Sequence, residues 1–264
     1  TEAMRLAFAD RNYWLGDPAF FEVPVKRLLA RDYIEQRRRL LPPPGVAGKS
    51  AGVAHGPVES DETTHFTVAD RWGNVAAITT TLNSGYGLAA VAPGAGFLWN
   101  NEMDNFSARP GIPNQYGMLG AEANSVQPGK RPLSSMTPTI VRRFGDFYMT
   151  MGSPGGPTII NTVLQIYLNV TVWDMDIQQA IDAPRIHHQW LPDRIDYEPF
   201  AISAETQRAL EGMGYELRER RSLGMAELTM AIAEHPLGGL QPDNLLAKAD
   251  GLLEQVIEGL TGSR

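Results

Sequence analysis

The sequence contains no cysteine. That excludes disulfides, thiolate nucleophiles and cysteine-ligated zinc, and leaves the compartment open. Basic residues are in deficit: 23 Lys and Arg against 30 Asp and Glu give a formal net charge of −7. With aromatics at only 8%, no basic face is available for sequence-independent nucleic-acid binding, and nucleic acid is not an expected partner. No apolar run approaches the roughly 20 residues of a membrane span. The opening T-E-A-M-R-L-A-F-A-D-R lacks a charged start followed by an apolar core, so no export signal is visible in this stretch. A start at Thr1 rather than Met is what a piece of a longer precursor would show.

What is present is ample for a buried core: 43% of residues are apolar. Twenty-six glycines and 19 prolines announce many turns and close backbone approaches. Residues 1–41 read as helical, with Ala3, Leu6, Ala7 and Tyr13 on one face and a second helical stretch over 23–41. The turn signal Leu15-Gly16-Asp17-Pro18 separates them. Arg37, Arg38 and Arg39 read as a solvated helix end. Residues 42–62, rich in Pro, Gly and small side chains, read as a linker and as the one domain boundary. Beyond it, residues 64–70 alternate as a half-buried strand does, and 75–82 read as its hairpin partner. Residues 84–135 are loop-dominated, 147–151 form a strand, and 157–172 form an apolar helix. Ser203 caps a further helix running to Leu210.

Several motifs carry chemistry only conditionally. G-V-A-G-K-S at 45–50 lacks the leading glycine, the strand and the helix of a phosphate loop, and reads as linker. Adjacent His187 and His188 point in different directions on any regular element, with no further ligand at metal spacing, and read as structural. Thr63-Thr64-His65 opens a strand directly after the linker. A cut before Thr63 would free an α-amine of pKa about 8 beside its hydroxyl, a matched base for a weak nucleophile. Ser153-Pro154-Gly155-Gly156 joins a strand to a helix, as an oxyanion hole would and as a tight turn would. Ser134 and Ser135 offer two consecutive hydroxyls suited to a carboxylate.

Taken together, the strings T-T-H-F-T-V-A-D (63–70), T-T-T-L-N (79–83), N-N-E-M-D-N-F-S (100–107), R-P-L-S-S-M-T-P (131–138), G-S-P-G-G (152–156) and A-P-R-I-H-H-Q-W-L-P (183–192) resemble the γ-glutamyltranspeptidase family. A-D-R-N-Y-W-L-G-D-P (9–18) resembles the end of that family's large subunit. The resemblance implies an α+β N-terminal-nucleophile hydrolase fold, an αββα sandwich of two stacked sheets between helical layers. It implies self-cleavage at Glu62–Thr63, so that residues 1–62 end the large subunit, in a flexible pre-cleavage segment, and 63–264 form the small catalytic subunit. The rest of the large subunit, with an arginine that grips the substrate carboxylate, is then a partner of this chain.

By the same resemblance Thr63 is the nucleophile and, through its new amine, the base. Thr81 supports it, and the amides of Gly155 and Gly156 form the oxyanion hole. Asn83, Glu102 and Asn105 surround the substrate amino group, Ser134 and Ser135 hold its α-carboxylate, and Tyr116 falls in a lid loop. No metal or organic cofactor is required. The implied substrates are γ-glutamyl compounds such as glutathione, with water or an amino acid as acceptor. The implied location is periplasmic or extracellular.

Two departures qualify that pattern. The family usually has an aspartate where Asn105 stands. Asn supplies no anion for a substrate ammonium, although Glu102 could, and related cephalosporin acylases take glutaryl side chains without that amine. The C-terminus, residues 231–264, includes an amphipathic helical pattern with Leu245, Leu246, Leu252, Leu253, Val256, Ile257 and Leu260, where the family closes with a Gly-rich strand. An uncut, inactive homologue that only binds ligand is the reading from another functional class.

Overall fold

A computed structural model describes residues 1–50 and 63–224. Helix α1 (Glu2–Trp14), the single turn α2 (Val25–Leu28) and α3 (Arg31–Arg38) come first. Two antiparallel hairpins follow, β1–β2 (Thr64–Ala69 and Val75–Thr80) and β3–β4 (Thr139–Arg143 and Asp146–Met151). The chain then runs through α4 (Thr158–Thr171), α5 (Ile177–Asp182), β5 (Ile186–His187), β6 (Ile195–Tyr197), α6 (Ala204–Gly212) and β7 (Leu217–Glu219). Strands β5, β6 and β7 make a third sheet, with β6 and β7 parallel.

The main core lies between β4 and α4. Ile159, Val163 and Ile166 recur at helical spacing on α4 and pack with Met149 and Met151 of β4 and Ala180 of α5. A second cluster joins Phe8 of α1 to Tyr116 and Met118. Phe8 also meets the His187 ring edge-on, with centroids 5.7 Å apart. The N-terminal helix is thereby seated against the loops that build the site.

The hairpin β1–β2 covers its polar face. The residues facing the protein are His65, Thr67 and Thr79, whereas Phe66, Val68 and Ile78 stand exposed on the other side. Alternation predicted the strand; it did not say which face would be covered.

Other expectations need correction. The helical stretch over 23–41 breaks at Leu29 and Ala30, because Val25 and Leu29 are exposed and no continuous apolar face holds it together. Arg37 is not simply solvated: its guanidinium pairs with Asp10 of α1. The linker reading also fails for residues 47–50. Ala47 N–H donates to Met213 O at 3.1 Å, Gly48 N–H to Glu2 Oε1 at 3.1 Å, and Ser50 N–H to Asp193 Oδ2 at 2.9 Å. The pre-cleavage segment 51–62 and the C-terminal amphipathic pattern lie outside the described residues.

Candidate active site

Thr63 stands immediately before β1 and is buried, 9% exposed. The register that sets Thr64 opposite Thr80 brings Thr63 beside Thr81. Thr63 Oγ1 donates to Thr81 Oγ1 at 3.2 Å, and Thr81 Oγ1 accepts the Asn83 N–H at 2.9 Å. Asn83 turns the chain with φ 75°, a left-handed conformation that Asn tolerates better than most residues. Tyr116, from the P-N-Q-Y-G loop, directs its hydroxyl at Asn83 O (2.7 Å) and Oδ1 (2.8 Å). The loop is thus latched to the threonine pair.

Glu102 and Asn105 occupy one short 3-10 turn. The Asn105 amide donates to Glu102 Oε2, while Oε1 is buried with no protein partner among the described residues. Burial raises the Glu102 carboxyl above its ordinary pKa, and the Asn105 hydrogen bond opposes that rise.

Ser134 and Ser135 face α1. Arg11 Nη2 donates to Ser135 Oγ at 2.9 Å and to Ser134 O at 3.1 Å. Loss of hydration lowers the Arg11 pKa to about 10, which leaves it charged at neutral pH. Sequence reasoning missed Arg11 and its neighbour Asn12. Their signal was a polar Asp-Arg-Asn run directly after the apolar stretch Leu6–Ala9.

β4 ends in G-S-P-G-G. Gly155 has φ 123°, and a Cβ there would stand 2.7 Å from Gly224 Cα and 2.4 Å from Thr158 Oγ1. Gly156 has φ 58° and backs onto the Tyr116 ring. Both positions require glycine, and the turn leads straight into α4.

A cavity of about 640 Å³, counted to its open mouth, is lined by Thr63, Thr81, Asn83, Glu102, Asn105, Tyr116, Ser134, Ser135 and Gly156. Gly155 adjoins it without lining it. Among the described residues, the lining carries one cation, Arg11, and one anion, Glu102. A held hydroxyl in a cavity lined by one group of each charge suits an acyl group bearing both an ammonium and a carboxylate. The histidine pair is engaged elsewhere: the His187 ring meets Asn161 Nδ2 at 2.8 Å and Gln189 Oε1 at 2.9 Å. No group of residues able to hold a metal occurs among the described residues.

The family described as gamma-glutamyltranspeptidase matches residues 1–249. The chain belongs to the γ-glutamyltranspeptidase family. The glutathione hydrolase proenzyme of Pseudomonas sp. (strain A14) is 45% identical over 215 residues, covering 81% of this chain and 37% of that protein. The chain thus spans well under half the length of this relative. A mutant γ-glutamyltranspeptidase of Helicobacter pylori is 50% identical with a TM-score of 0.59, over 61% of this chain and 87% of that one. The cephalosporin acylase of Bacillus halodurans is 25% identical with a TM-score of 0.67, over 84% of this chain and 38% of that one. The α+β, N-terminal-nucleophile hydrolase fold expected of a γ-glutamyltranspeptidase is therefore the fold of this chain.

Proposed function

We propose that the protein containing this chain is a self-processing γ-glutamyl transferase and hydrolase. Its substrates are glutathione and related γ-glutamyl amides. The observation that carries the reading is the buried Thr63 hydroxyl donating to Thr81 in a cavity whose lining also carries Arg11 and Glu102.

In this reading the precursor cuts itself between Glu62 and Thr63. The new α-amine takes the proton of the Thr63 hydroxyl, whose oxygen attacks the γ-carbonyl. The amides of Gly155 and Gly156 hold the resulting oxyanion, an arrangement worth about 3–4 kcal/mol per donor in the transition state. The leaving amine takes that proton from the α-ammonium as the C–N bond breaks. Water or an amino acid, giving its own proton to the restored α-amine, then displaces Thr63 from the acyl ester. Glu102 and Asn83 receive the substrate ammonium, and Ser134 and Ser135 its carboxylate. The remainder of the large subunit is the partner that covers the exposed apolar face of β1–β2, Phe66, Val68 and Ile78. The reading extends to a periplasmic or extracellular location, which the family resemblance supports. No helix among the described residues is long and apolar enough to cross a membrane.

A second reading, amidase action on glutaryl-type acyl groups, is favoured by one observation. Asn105 lends no charge, and Glu102, the lone anion there, has its ionisation opposed by burial. Intact mass and N-terminal sequencing of the full-length protein test processing: a fragment starting at Thr63 is expected, and a single uncut chain refutes the scheme in favour of a binding-only homologue. Turnover of γ-glutamyl and glutaryl anilides then separates the two acyl classes. We expect Asn105→Asp to favour the γ-glutamyl substrate by about tenfold, the worth of one charge-assisted contact.

A further inference from the structure

The polar face that starts at Thr63 continues into a histidine that the reaction scheme leaves unused. His65 lies two residues along, on the same face of β1 and opposite Thr79. Its Nδ1 is 2.8 Å from Thr79 Oγ1 and its Nε2 is 3.3 Å from Thr67 Oγ1. Thr67 Oγ1 lies 3.1 Å from Thr150 Oγ1 on β4, and Thr150 donates to Thr139 O at 3.0 Å.

Counting hydrogens gives this chain a direction. Each hydroxyl has one proton, and Thr150 spends its own on Thr139 O. Thr150 therefore accepts from Thr67, Thr67 accepts from His65 Nε2–H, and His65 Nδ1 accepts from Thr79. The imidazole is the neutral Nε2–H tautomer, in keeping with the burial that lowers its pKa.

The ring also bears on the chain that leads to the oxyanion donors. A Cβ at Gly152 would lie 2.1 Å from His65 Nδ1, so the imidazole is packed against that backbone. Gly152 directly follows β4 and stands three residues before Gly155. Hairpins β1–β2 and β3–β4 share no ladder among the described residues. The spacing between a nucleophile on one hairpin and donors after the other therefore depends on side chains crossing between them.

We propose that His65 is a positioning residue that sets Thr63 Oγ1 against the Gly155 and Gly156 amides, through Thr79 and Thr67 on one side and Gly152 on the other. The inference rests on the acyl-transfer reading above. An oxyanion hole acts only when its donors stand about 2.7–3.1 Å from the developing charge, and a misplacement of about 1 Å can cost 10²-fold. The predicted defect is thus in the transition state and not in substrate binding.

The test uses the full-length protein with His65→Ala, His65→Asn and Thr79→Val. Measured are kcat and KM on a γ-glutamyl anilide, thermal midpoint, and inhibition by a boronic acid analogue of the acyl group, which forms a tetrahedral adduct on Thr63. Expected for His65→Ala is a fall in kcat of about 10²-fold, with KM within threefold and a parallel loss of boronate affinity. Asn places an amide near the position of Nδ1 and should recover about tenfold of this; Thr79→Val should lose about tenfold. Should His65→Ala fail to fold or self-cleave, Thr79→Val and His65→Asn decide. Unchanged kcat, or a loss of kcat without loss of boronate affinity, overturns the proposal. Wild-type protein that is cut but turns over neither γ-glutamyl nor glutaryl anilides overturns the functional reading, and this inference with it.

Discussion

Arg131 holds Asp17 with three hydrogen bonds: Nη2 to Oδ1 at 2.7 Å, Nε to Oδ2 at 3.0 Å and the backbone N–H to Oδ2 at 2.9 Å. The two residues are 114 positions apart. Asp17 lies in the turn after α1, and Arg131 opens the loop that presents Ser134 and Ser135. Together with Arg11, this pair fixes the loop to the N-terminal segment. Asp17→Asn keeps an acceptor but removes the charge. If the pair sets the serines, KM for a γ-glutamyl anilide should rise about tenfold with a smaller change in kcat, the worth of one charge-assisted bond. Steady-state kinetics check this, and an unchanged KM would separate the clamp from the serines.

Acid stability should fall in two phases. Burial holds His187 and His188 at about 4, below the 6.5 of a free imidazole. Between pH 6.5 and 4 the unfolded chain takes up protons that the folded chain refuses, so stability is full above 6.5 and declines toward 4. The guanidinium and amide of Arg131 hold the Asp17 carboxyl well below the carboxylate range. Its contribution is present above the unfolded carboxylate pKa of about 3.9 and is lost as pH falls toward the folded value. Urea midpoints across pH 2–8 should show the upper phase and the onset of the lower one. His187→Asn should flatten the upper one and Asp17→Asn the lower one.

Glu198 joins the interior to the G-S-P-G-G turn. Its Oε1 accepts from Arg185 Nη2 at 2.9 Å and from Leu223 N–H at 2.7 Å, and both charged residues are buried. The next residue, Gly224, packs against Gly155 and accepts from Ser153 Oγ at 3.2 Å. Glu198→Ala leaves the Arg185 charge buried and unpaired and should destabilise by about 3–5 kcal/mol in denaturant unfolding. Where enough protein remains folded, kcat should drop more than KM rises.

Tyr116→Phe removes the hydroxyl that latches the left-handed Asn83. We expect KM to rise about fivefold to tenfold, from the loss of one buried hydrogen bond that orders a cavity-lining residue. Stability should fall by only about 1 kcal/mol, the cost of an unpaired buried acceptor, since the buried ring stays in place. A drop in kcat at constant KM would instead put the hydroxyl in the chemistry.

Much of the local structure was legible in the sequence, and what escaped has identifiable causes. Asp176 and Gln179 form a capping box that starts α5, a signal present in the sequence and not read there. β3 shows no clean alternation, with Ile140 and Val141 adjacent and two arginines at its end, and its pairing with β4 rests on a turn in which Phe144 and Gly145 both have positive φ. The strands β5, β6 and β7 have two or three residues each, below the length at which periodicity carries information.

By itself the sequence determined the strand after Thr63, the apolar helix after G-S-P-G-G, the Ser203 cap, and the residue types of the candidate site. Each depends on neighbours within about a turn or a hairpin, where backbone sterics and periodicity act directly. Tertiary structure alone decided which face of β1 is covered, that Arg11 meets Ser134 and Ser135, that Arg131 closes on Asp17, and that His65 bears on Gly152. Those partners are separated by roughly 90 to 120 positions. Their meeting is set by how helices and hairpins pack their buried faces together, a choice that local pattern leaves open.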